Sequence, residues 1–129
     1  MDYRKLKKLF SEALEYINKD DSIQASEKLY KVSENCIKFL AEINDLQEYK
    51  DAINRERWSR TLLYNAVKKL KEIYGERIGE IWDSADSLHV WGFHEEKISI
   101  DEVKSKAVEI EELLRLTLDE IKLKKNDLT

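Results

Sequence analysis

The sequence predicts an all-α fold, a single antiparallel bundle of four or five helices, and three observations predict it. Apolar residues recur at three- and four-residue spacing along nearly the whole chain. Proline is absent and glycine occurs only at positions 75, 79 and 92, so helix breakers are scarce. Charged residues reach 39%, against about 25% in ordinary domains, as suits long helices with solvated outer faces. With 42% hydrophobic residues, residues 1–129 make one domain long enough to bury a core.

The first helix is expected from about Tyr3 to Asn18, with Leu6, Leu9, Phe10, Ala13, Leu14 and Ile17 on one stripe. Asp21 then stands as N-cap of the second helix, and Gln24 three residues on completes a capping box. Ala25, Leu29, Val32, Cys36, Phe39, Leu40 and Ile43 form that helix's inner face, and Asn44 is its stop. On its outer face Glu27/Lys31 and Glu34/Lys38 are i,i+4 pairs in the favourable orientation, each stabilising by about 0.2–0.5 kcal/mol. Residues 45–55 break phase, and at most a short turn carrying Leu46, Tyr49 and Ile53 is expected there.

A third helix follows from about Glu56 to Tyr74, with Trp58, Leu62, Leu63, Ala66, Val67, Leu70 and Ile73 inward and Gly75 as a left-handed cap. The fourth spans about Ile78 to Trp91, with Ile78, Ile81, Trp82, Ala85, Leu88 and His89 inward. Gly92 reads as its C′ residue, and Phe93 as the accompanying hydrophobic contact. Ser99 and Glu102 form a capping box, flanked by Ile98 and Val103 as a hydrophobic staple. The last helix then runs from Ile100 to about Lys124.

Composition narrows the function. The formal net charge is −4 with both signs interspersed, so charge gives no support to a nucleic-acid or nucleotide partner. Arg55, Arg57, Arg60, Lys68, Lys69 and Lys71 make one locally basic stretch, most simply a solvated helix face. A lone cysteine, Cys36, cannot form an internal disulfide and sits on an inner stripe as a small inert hydrophobe. No apolar signal segment or membrane-spanning run is present, which points to the cytoplasm and to no membrane partner. No Gly-rich phosphate loop or nucleophile elbow occurs, and no cofactor is called for.

One polar constellation remains: Asp86, His89, His94 and Glu95. Asp86 and His89 are three apart and share a helical face, while His94 and Glu95 can fold back from beyond Gly92. Two imidazoles and two carboxylates suit a divalent metal. Di-iron bundles, however, need a Glu-x-x-His on each of two helices, and only one comparable Asp-x-x-His is present. The plainer reading is a hydrogen-bonded histidine on an apolar face. His89 should then lie where helices two and four touch, hydrogen-bonded to Asp86, Ser26 or Glu27.

Two segments carry a family likeness. Asp20-Asp21-Ser22-Ile23-Gln24-Ala25-Ser26-Glu27-Lys28-Leu29-Tyr30 resembles the Gly-Asp-x-x-Gln-Ala-Ser-Glu-Lys-Leu-Trp/Tyr stretch of archaeal PaREP-type proteins, with Asp20 in place of the usual glycine. Ala85-Asp86-Ser87-Leu88-His89, continuing through Phe93-His94-Glu95, is similar to the Ala-x-x-Leu-His segment of the same family. The resemblance implies a HEPN-like helical bundle, from a group whose members often dimerise and in some cases cut RNA or accompany nucleotidyltransferases. RNA-cutting HEPN proteins carry an arginine, four to six residues, then histidine. The corresponding positions here are Ser84, Asp83 and Trp82 before His89, and His89, Leu88 and Ser87 before His94, so that chemistry does not carry over. The expectation is therefore a non-catalytic binding or interaction protein acting as a homodimer, with Ser26, Glu27, Asp86, His89, His94 and Glu95 as ligand-binding residues. A degenerate or unrecognised RNase or nucleotide-handling enzyme, and a metal-binding bundle, are the alternatives.

Overall fold

A computed structural model describes residues 2–127, with side chains through Lys124. Among the described residues all regular structure is helical, and six α-helices are present rather than four or five. They are α1 (Arg4–Asn18), α2 (Ser22–Ile43), α3 (Gln47–Arg55), α4 (Arg60–Tyr74), α5 (Arg77–Ser87) and α6 (Ile100–Asp127). A π-helical segment, Leu88–His94, continues directly from α5.

Helix α2 is the axis of the bundle. It packs against α1, α6 and the π-helical segment, and also touches α3, α4 and α5. Its buried set accordingly exceeds one stripe: Tyr30, Ser33 and Ile37 are buried along with Ala25, Leu29, Val32, Cys36, Phe39 and Leu40. Such a helix is apolar nearly all round because neighbours cover nearly all of it. Its start is as expected, with the Asp21 carboxylate accepting the Gln24 N–H at 3.0 Å. Both outer-face pairs are formed, Lys38 to Glu34 at 3.2 Å and Lys31 to Glu27 at 3.9 Å.

The additional helix is α3, in the stretch whose phase was broken. Asp45 takes φ 51° and Glu56 φ 57°, so the chain turns sharply on either side of it, and no continuous stripe could link it to its neighbours. Helix α4 consequently begins at Arg60 rather than Glu56, with the Ser59 hydroxyl accepting the Leu62 N–H at 3.1 Å. Asp20, Asp45, Glu56 and Glu96 all adopt positive φ, a role glycine usually fills at helix ends. With no proline and three glycines, acidic residues turn these corners. Gly75 does take positive φ, 103°, but its ψ of 169° lies outside the left-handed helical region. Two side chains expected inward, Leu14 and Ile73, are instead 42% and 50% exposed.

Glu56 occupies φ 57°, ψ 26° with an exposed side chain that makes no hydrogen bond or ion pair. A left-handed L-residue is disfavoured by about 1–2 kcal/mol, partly offset in glycine by greater unfolded-state freedom. Glu56→Gly is therefore expected to stabilise the fold by about 0.5–1 kcal/mol. A lower urea midpoint would contradict the left-handed turn.

The start of α6 is the expected one. The Ser99 hydroxyl accepts the Glu102 N–H at 3.2 Å, and Ile98 and Val103 are both buried. Ser99→Ala should lower stability by about 0.5–2 kcal/mol. A denaturation midpoint equal to the parent's would mean that α6 starts elsewhere.

Candidate functional site

The site lies where the π-helical segment crosses α2. In an α-helix residues five apart are rotated by about 140°, so His89 and His94 would face different ways. Winding with i→i+5 hydrogen bonds returns residue 94 to the side of residue 89. The Glu95 N–H donates to the Val90 carbonyl at 2.9 Å in that register. His94 Nε2 then lies 3.2 Å from His89 Nε2, the two rings meeting edge-on at 83°.

Gly92 makes the crossing close. It does not adopt the positive φ expected of a C′ cap; it is buried, and its missing side chain is what lets the backbone approach Ser26. A Cβ at position 92 would fall 2.2 Å from Ser26 Oγ, 2.6 Å from Ser26 Cβ and 3.0 Å from Ile98 Cγ2. The helix does not end at Gly92 because this contact and the π winding carry it on to His94.

His89 is half-buried and stacks on Tyr30 of α2, with centroids 4.1 Å apart and planes at 25°. Tyr30 in turn touches Trp82 of α5 at 5.9 Å. The contact with α2 is thus as expected, but the hydrogen bond is not: His89 pairs with His94, because π winding brings that ring within reach. Asp86 is engaged elsewhere, in an ion pair with Arg60 at the start of α4. Ser26 Oγ, Glu27 Oε2 and His89 Nδ1 are buried and have no hydrogen-bond partner. Glu95 is exposed and makes no side-chain hydrogen bond or ion pair.

Electrostatics follow from this packing. Burial lowers the His89 pKa from its ordinary value; His94 and Arg60 push it the same way, while Glu27 and Asp86 oppose them. Burial, then the Glu34 carboxylate, hold the Tyr30 phenol well above its usual range, so it stays a neutral hydroxyl. Burial pushes the Cys36 thiol up to about 12, which suits the inert core role expected of it. Of the basic stretch, Arg60 pairs with Asp86, Lys69 with Glu48 and Lys71 with Glu76, so much of its charge is already countered.

Of the six residues singled out from sequence, Ser26, Glu27, His89 and His94 meet at one seam, with Asp86 beside it; Glu95 is not drawn in. Tyr30, Arg60 and Gly92 were missed. Tyr30 had a signal, since it stands four residues after Ser26 on the same face of α2. Arg60, 26 positions from its partner Asp86, had none. Among the described residues, no three His, Cys, Asp or Glu side chains converge as a complete metal-ligand set. A cleft of about 460 Å³ between α1 and α2, near Lys5, Lys8 and Lys28, lies apart from this seam and contains none of the unpartnered atoms.

The fold and site together define an α-helical bundle whose central helix carries a histidine pair presented by a π-helical turn. The chain belongs to the archaeal PaREP1/PaREP8 family, whose family model matches residues 3–114. Two solved structures are similar. One is the crystal structure of a Sulfolobus solfataricus protein, 34% identical over 90% of this chain and 95% of that one, with TM-score 0.83. The other is the solution structure of the Orf c02003 protein, 33% identical over 91% of each chain, with TM-score 0.80. No curated protein matches the chain. No described helix is long and apolar enough to cross a membrane.

Proposed function

We propose that this chain is a HEPN-like, non-catalytic binding or interaction protein of the cytoplasm that works as a homodimer, with the α2–π seam as its ligand seat. One observation carries the reading: three unpartnered polar atoms, on Ser26, Glu27 and His89, are buried together at that seam. Each such atom costs roughly 1–3 kcal/mol, so their gathering at one place favours a role in binding over a role in stability. Arg60 is held by Asp86, which leaves no free guanidinium beside the imidazoles to stabilise a phosphoryl transition state. Leu14, Ile73, Trp91 and Val108 leave apolar surface at 42–72% exposure, available to a second copy.

A second reading, an unrecognised RNase or nucleotide-handling enzyme, is favoured by the lowered His89 pKa beside His94, an acid and base within one hydrogen bond. One experiment separates the two. Purified protein is incubated with RNA, with and without divalent metal, beside a His89→Ala variant, and its mass is followed by sedimentation velocity. Intact RNA and a dimer are expected. RNA degradation that His89→Ala abolishes would overturn the non-catalytic reading, and a monomer at every concentration would overturn the dimer.

A further inference from the structure

We propose that His89 and His94 together chelate one divalent transition-metal ion of the zinc type through their Nε2 atoms. This rests on reading the α2–π seam as a ligand seat, and it names the ligand. Zinc–imidazole bonds of about 2.0–2.1 Å at a tetrahedral angle place two ligand nitrogens about 3.3 Å apart. The two Nε2 atoms already stand at 3.2 Å. That separation exists only because the π winding brings residues five apart onto one side. Now it holds one proton between two nitrogens, and a metal ion would take the proton's place.

The proton balance is simple. With both rings neutral, His94 moves its proton from Nε2 to Nδ1, and His89 carries its own on Nδ1. Both Nε2 lone pairs are then free, with no net proton lost. The unpartnered His89 Nδ1 and the unpartnered Glu27 Oε2 belong to the same seam. A carboxylate behind the far nitrogen of a ligating histidine is the usual means of fixing its tautomer and raising its basicity.

Charge and access agree with a cation. The charged side chains acting on His89 besides His94 are two carboxylates, Glu27 and Asp86, against one guanidinium, Arg60. His94 is exposed, so the pair can be reached from solvent. Imidazole nitrogen selects zinc, copper or nickel over magnesium or calcium, which take oxygen ligands. With no third protein ligand converging, water completes the coordination and the ion is exchangeable.

The test is a zinc titration of protein labelled with 15N at histidine, followed by long-range proton–nitrogen correlation and by calorimetry. The expected result is one ion per chain, with both Nε2 resonances shifting and magnesium without effect. Removing the exposed ring in His94→Ala, which leaves the core intact, should weaken zinc binding by about 100-fold, the loss of an intramolecular second ligand. No Nε2 shift at millimolar zinc, or a loss below about tenfold in His94→Ala, would overturn the proposal and leave the pair as a hydrogen bond alone. That failure is distinct from failure of the binding reading, which RNA cleavage decides.

Discussion

Gly92→Ala is expected to destabilise the protein by about 1–3 kcal/mol, the usual range for overpacking a tight contact. The added methyl would sit 2.6 Å from Ser26 Cβ, which rotation of the serine cannot relieve, although its hydroxyl can swing away. Helix α2 is fixed by packing on several sides, so the π-helical segment must give, and His94 should lose its place beside His89. Gly92→Asn sharpens the test. Asparagine is tolerated at a left-handed helix cap, whereas here its larger side chain should cost at least as much as alanine. Ser26→Gly should partly rescue Gly92→Ala, with a favourable coupling in the double-mutant cycle. Additive effects in urea denaturation would mean that the two residues do not touch.

Tyr30→Ala should cost about 3–5 kcal/mol, as expected for truncating a buried aromatic residue. Tyr30 is 5% exposed and joins three elements, stacking on His89 of the π-helical segment and meeting Trp82 of α5 from its place on α2. Tyr30→Phe keeps the ring and gives up only the hydroxyl, so its loss should stay within about 0.5–1.5 kcal/mol. A small loss in Tyr30→Ala, below about 1 kcal/mol, would show that the ring is not a packed link between these helices.

How far the sequence led depends on which physical cause was local. The capping signals at Asp21 and Ser99 were legible because a side chain meets a backbone N–H three residues on, and both bonds are present. The meeting of Ser26, Glu27 and His89 followed from helical phase and from the family-like segments. Helix α3 was not legible, since it is nine residues long and entered and left through acidic residues at positive φ, which composition does not distinguish from ordinary surface carboxylates. Gly92 shows the sharper limit. A glycine followed by an apolar residue after a helix has the pattern of a cap, and only the close passage of α2 reveals that it serves tertiary packing. The π winding, and with it the His89–His94 pair, depends on that same contact. Asp86 likewise looked like the partner of His89 by proximity, while Arg60, distant in the chain, takes its carboxylate.

The central claim is that π winding against α2 seats His89 on Tyr30 and sets His94 directly beside it. Histidine nitrogen NMR across pH tests this most directly, in the parent protein and in His94→Ala without added metal. Protonating one ring of a close pair opposes protonation of the other, and burial opposes it further at His89. His89 should therefore titrate below the ordinary value of about 6.5, and His94→Ala should move it back upward by removing the neighbouring charge. Two histidines titrating independently near 6.5, with His89 indifferent to the loss of His94, would contradict the account.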